Sequence, residues 1–80
     1  PLPTREAREA WARVCSEAFL ELQDRARRGK RHFIDEYGAT NEAEFFAVVT
    51  EAFWRQPQKL ERNEPELYGL LREFYNFDPV

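Results

Sequence analysis

Of the eighty residues one is cysteine, one is histidine and none is methionine, and no run of eighteen apolar residues occurs anywhere. A single thiol excludes an intramolecular disulfide, and Cys15 with His32 cannot by themselves make a four-ligand Cys/His zinc site. The missing apolar run excludes a membrane-spanning helix. Pro1-Leu2-Pro3-Thr4 has neither the basic nor the apolar region of a signal peptide, and the initial proline reads most simply as a cut from something longer. Positive excess is lacking too: 12 Lys and Arg face 15 Asp and Glu, a net charge of −3, so nucleic-acid binding through the basic run Arg25 to Arg31 is not expected. A chain of this length supports one modest core, which excludes two domains. Packing alone must then hold it together.

Aromatic residues, by contrast, are plentiful, with seven Phe among them. From Thr4 to Arg28 the residues Ala7, Trp11, Val14, Cys15, Ala18, Phe19, Leu22 and Ala26 recur at spacings of three and four, the pattern of an amphipathic helix. Thr4 is its N-cap, Arg25, Arg27 and Arg28 complement its C-terminal end, and Gly29 stops it. Lys30 to Thr40 lacks helical period and reads as a loop with a short extended piece at His32-Phe33-Ile34. Asn41-Glu42-Ala43-Glu44 fits a capping box that opens a second helix, running to about Arg55. Its apolar residues cover nearly the whole circumference, which predicts burial on most sides. A short helical turn is expected at Gln58 to Glu61, and a last helix bearing Leu67, Leu70, Leu71 and Phe74 is expected to end near Asp78-Pro79. The prediction is an all-α unit over 1–80, with three main helices plus a short one.

Several residues invite a chemical reading beside a plainer one. Glu44 heads an almost wholly apolar helix, where a carboxylate is either a cap or a ligand. Glu51 lies seven residues later on nearly the same face, about 10 Å along the axis, too far to share one metal; it is a neighbour to the site or a partner for Arg. Tyr37 is a candidate hydrogen-bond donor to a developing oxyanion, or a loop tyrosine with its hydroxyl in water. His32, beside four cations, reads as a solvated loop residue. Cys15 reads as a small core residue. The aromatic density exceeds what one small unit needs, and apolar surface left over usually faces a partner.

The stretch Ile34-Asp35-Glu36-Tyr37-Gly38-Ala39-Thr40-Asn41-Glu42-Ala43-Glu44-Phe45-Phe46-Ala47-Val48-Val49-Thr50-Glu51-Ala52-Phe53-Trp54 resembles the C-terminal part of the Mlc titration factor A family. Pro65-Glu66-Leu67-Tyr68, Phe74-Tyr75 and Asp78-Pro79 resemble that family's closing helix. The resemblance implies the C-terminal portion of a cytoplasmic, zincin-type, zinc-dependent metallopeptidase domain related to the anthrax lethal factor catalytic domain, and a portion not expected to act alone: no HExxH occurs here, so two of the three zinc ligands and the general base are absent. It further implies Glu44 as the glutamate ligand to zinc and Tyr37 as the tyrosine beside the substrate carbonyl. Asn41 and Glu51 follow as outer neighbours of that ligand. The family's proline after Thr-Asn is Glu42 here, a mild change at a first helical turn.

The expected function is therefore a contribution to a peptide-hydrolysing, aminopeptidase-like parent, with zinc bound in the parent and not tightly in this chain. The alternative is a non-enzymatic helical protein-binding module that contacts a glucose-responsive transcriptional repressor, a partner the resemblance also implies. Self-association through leftover apolar surface is a further expectation.

Overall fold

The computed structural model describes residues 4–80, and Pro1, Leu2 and Pro3 lie outside the described residues. Helix α1 spans Arg5–Arg27, a short 3₁₀ turn Glu36–Ala39, α2 Glu42–Arg55, α3 Pro57–Asn63 and α4 Pro65–Tyr75, with no strand among the described residues. The unit is all-α, with three main helices and a short one. No helix among the described residues is long and apolar enough to cross a membrane.

Local chemistry accounts for the helix ends. The Thr4 hydroxyl accepts the Ala7 N–H at 3.0 Å and opens α1, a cap that contributes about 1 kcal/mol. At the other end Gly29 takes a φ of 67°, and the Lys30 and Gly29 N–H groups return to the carbonyls of Arg25 and Ala26. Asn76 repeats this device after α4 with a φ of 52°, the Phe77 N–H bonding the Arg72 carbonyl. The last helix therefore ends at Tyr75, before the Asp78-Pro79 stop expected from sequence, because a left-handed Asn terminates it first. Residues 77–80 then fold back, where the buried Tyr68 hydroxyl donates to Asp78 and accepts from the Val80 N–H.

Prolines divide the second half of the chain. Pro57 and Pro65 each occupy a first helical position, where the missing N–H costs nothing, while Gln56 and Glu64 before them leave helical geometry. The short helix is thus longer than the expected Gln58 to Glu61, since Pro57 starts it and the next proline ends it. Along this bent path Phe53, Leu60, Leu67, Tyr68 and Leu71 are at most 1 % exposed. Burial of each such side chain contributes about 1.5–3 kcal/mol before entropy is set against it. Val14, Ala18 and Leu22 of α1 close the core from the other side.

Helix α2 corrects one expectation. Phe45, Val49, Ala52 and Phe53 are buried, but Phe46 and Trp54 remain 38 % and 47 % exposed. The neighbouring elements cover one side only. The residues on the other side join an aromatic row in which Trp11 meets Phe46 and Phe74, and Trp54 meets Tyr75 and Phe77.

The extended piece expected at His32-Phe33-Ile34 is not a strand. Instead, the chain after it tightens into the 3₁₀ turn, which wedges between α1 and α2. Gly38 makes the wedge fit: a Cβ there would sit 2.5 Å from Val48 Cγ2, 3.3 Å from Leu22 Cδ2 and 3.5 Å from the Phe45 Cα. The Gln23 side-chain amide ties the same turn to α1 by donating to the Ala39 carbonyl at 3.1 Å. Gly38→Ala should accordingly destabilise the fold by about 1–3 kcal/mol through overpacking. Gly69→Ala, where a Cβ meets nothing within 4 Å, should stabilise α4 by about 0.5–1 kcal/mol. Urea unfolding of the two variants checks the opposite signs.

Candidate functional site

The wedge delivers Tyr37 to the head of α2. Asp35 caps the turn, its Oδ1 accepting the Tyr37 N–H at 2.9 Å, and Gly38 presses the next residue against the core. Across the gap, Asn41 caps α2 by accepting the Glu44 N–H at 2.9 Å. The Tyr37 hydroxyl then donates to Glu44 Oε2 at 2.5 Å. Tyr37 is not a loop residue with its hydroxyl given only to water. Nor is the capping box closed in both directions: the Glu44 carboxylate takes the phenol, while Asn41 alone supplies the side-chain cap.

The pair is open to solvent, with Tyr37 56 % exposed. The hydrogen bond to Glu44, and then the carboxylate's negative charge, hold the phenol above its ordinary ionisation range. Tyr37 consequently keeps its proton throughout neutral pH and stays a donor. The other Glu44 oxygen takes no hydrogen bond or ion pair among the described residues. A half-buried carboxylate with one free oxygen suits a hard or borderline cation such as zinc as one ligand among several. Glu51, two turns further along α2, is exposed and lies 3.9 Å from Arg55, one turn along its own helix.

His32 is a clear departure from the sequence reading. Its side chain is 9 % exposed rather than solvated, because the loop folds it between Glu21 of α1 and Glu64 at the α3–α4 junction. Among the described residues these three form the one group of three or more side chains with metal-ligand atoms close together, and Glu44 is not in it. Positions 21, 32 and 64 carry no spacing signal that joins them. The basic run is mostly tied down, with Arg27 and Arg28 on Asp24 and Arg25 donating to the Arg31 carbonyl. Cys15 is half-buried, which pushes its thiol up in pKa and leaves it a packing residue.

The match to known proteins falls on this same framework. A family described as glucose-regulated metallo-peptidase M90 matches residues 1–76. The chain belongs to the M90 metallopeptidase family. An uncharacterized protein of Synechocystis sp. is 37% identical over 79 residues, covering 99% of this chain and 29% of that protein. Mlc titration factor A of Edwardsiella ictaluri is 35% identical and that of Serratia proteamaculans 34%, each across 100% of this chain and 31% of the relative. This M90 chain thus spans about 30% of the length of the relatives it matches. No solved structure matches it significantly.

Because Glu44 holds the Tyr37 proton, Glu44→Gln should lower the Tyr37 ionisation midpoint toward its ordinary value of 10.0. Tyrosine Cζ chemical shifts followed against pH read this directly, and an unchanged midpoint would separate the two residues in solution.

Proposed function

We propose that this chain supplies one metal ligand, Glu44, and one oxyanion donor, Tyr37, to the zinc centre of a peptide-hydrolysing parent whose remaining ligands lie in the part of the relatives it does not span. The observation that supports this is the Tyr37–Glu44 hydrogen bond, which joins the two residues singled out by the family motif. Zinc bound there would polarise a peptide carbonyl and lower the pKa of bound water toward ~7. The chain's own contributions follow from its chemistry. Glu44 provides an anionic oxygen fixed at a capped helix start, and Tyr37 holds its Oη proton in a position to donate to a carbonyl oxygen as charge builds on it. Asp35 and Gly38 hold the backbone of that donor, so the phenol is oriented before substrate arrives. Asn41 fixes the start of α2, and Glu51 stands further along the helix, paired with Arg55.

For the parent, the family resemblance implies peptide cleavage of aminopeptidase type in the cytoplasm. The eighty-residue chain alone is inactive on this reading, since one carboxylate supplies neither the other ligands nor a general base. Titration of the chain with zinc should give no tight 1:1 site at Glu44; nanomolar binding that Glu44→Ala removes would defeat the proposal. In a full-length relative, alanine at the position of Glu44 should abolish peptidase activity and release the metal. Phenylalanine at the position of Tyr37 should lower turnover by about 10²–10³-fold, the loss typical of one oxyanion donor, with metal retained. Loss of metal in the tyrosine variant would reverse the assignments.

The exposed row of Phe46, Trp54, Phe74 and Phe77 favours a second reading, a helical module that binds another protein such as a transcriptional repressor, or another copy of itself. Binding that survives replacement of Glu44 and Tyr37 but not of Trp54 and Phe77 would distinguish it from the enzymatic one.

A further inference from the structure

Glu21, His32 and Glu64 reach one another from three elements that share no sequence pattern. His32 Nε2 lies 3.5 Å from Glu64 Oε2 and 3.9 Å from Glu21 Oε1, and the three ligand atoms all lie within 4.8 Å of one another. The other ring nitrogen, Nδ1, accepts the Ile34 N–H at 3.0 Å. In a neutral imidazole whose Nδ1 accepts, the proton is on Nε2. The cluster therefore meets a donor rather than a lone pair, which argues against a metal ion at its centre. A second ring proton would point at the Ile34 N–H and break that contact, so the imidazolium form is disfavoured as well. Between the ring and the cluster, the place left for a further proton is Glu64, the more buried of the two carboxylates.

We propose that Glu64 holds a proton where it meets Glu21 and the His32 Nε2–H, and that its loss loosens the attachment of loop residues 29–35 to α1 and to the α3–α4 junction. The facing groups are Glu21 and Arg25 from α1, Arg31 and His32 from the loop, and Asn63 and Glu64 from the end of α3 and the start of α4. Arg25 offsets the two carboxylates only in part, because it also donates to the Arg31 carbonyl at 3.0 Å. Burial, and then the charge and hydrogen bond of Glu21, push Glu64 up from 4.5 to about 7. Burial likewise lowers His32, which favours its neutral form.

The sign follows from linkage. Glu64 binds its proton more tightly folded than unfolded, so its contribution to stability is complete below pH 4.5 and is lost as pH rises through about 7. The loosened loop leads directly into Asp35, whose side chain caps the turn that carries Tyr37. Deprotonation at the junction thus reaches the backbone that orients the phenol.

Thermal unfolding of the eighty-residue chain between pH 4.5 and 9 tests this against Glu64→Gln, which keeps a neutral side chain at every pH. The wild-type midpoint should fall relative to the variant as pH rises from 4.5 to about 7 and level off above it. On the wild-type protein, carbon NMR of the Glu64 carboxyl should show a midpoint near 7 rather than 4.5, and nitrogen NMR should show His32 as the neutral Nε2–H tautomer at pH 6. A Glu64 midpoint in the ordinary carboxyl range, an imidazolium His32 at pH 6, or a parallel pH profile in the variant would each overturn the proposal. So would zinc chloride at micromolar concentration raising the wild-type midpoint but not that of Glu64→Gln, since that would make the cluster a metal site.

Discussion

The absence of a side chain at Gly38 is the constraint on which the arrangement depends. The 3₁₀ turn stands between α1 and α2, and its closest approach is to Val48, Leu22 and the Phe45 backbone at distances a Cβ would occupy. With the turn seated, Phe19 packs edge-on against Phe45, and Gln23 finds the Ala39 carbonyl. The same seating puts Tyr37, one residue before the glycine, over the first turn of α2. A dense interior tolerates few voids or overlaps, so a position this tight transmits a small change in the core to the exposed phenol.

Two carboxylates illustrate how environment divides similar side chains. Glu44 stays at the surface, where a phenol proton satisfies one oxygen and the other is left open. Glu64 is drawn against Glu21 and a nearly buried imidazole, where ionisation is costly and a proton is retained up to about 7. The first arrangement suits capture of a cation. The second suits a pH-dependent contact between helices, because the imidazole already presents its N–H and offers no lone pair.

The aromatic row extends the contrast between core and surface. Phe53 is sealed against Tyr68 and Tyr75, while its neighbour Trp54 stacks outward on Phe77. Adjacent residues on a helix point about 100° apart, so a helix covered on one side must expose aromatics whenever its apolar residues encircle it. In a family whose relatives are about three times as long as this chain, such a face has further protein available to meet it.

Sequence by itself determined the helical class, the position of α1, the existence of α4, the caps Thr4 and Asn41, the Gly29 stop, and the family. These are local properties: spacing reports which face of a helix is apolar, and a cap or proline acts within one turn. Only the tertiary structure decided that half of the apolar circumference of α2 is left uncovered, that the Glu44 carboxylate takes the Tyr37 hydroxyl instead of closing a capping box, and that His32 is held between Glu21 and Glu64. Each depends on which segments pack together across a long stretch of chain, where burial and hydrogen-bond geometry override the local preferences of the residues involved.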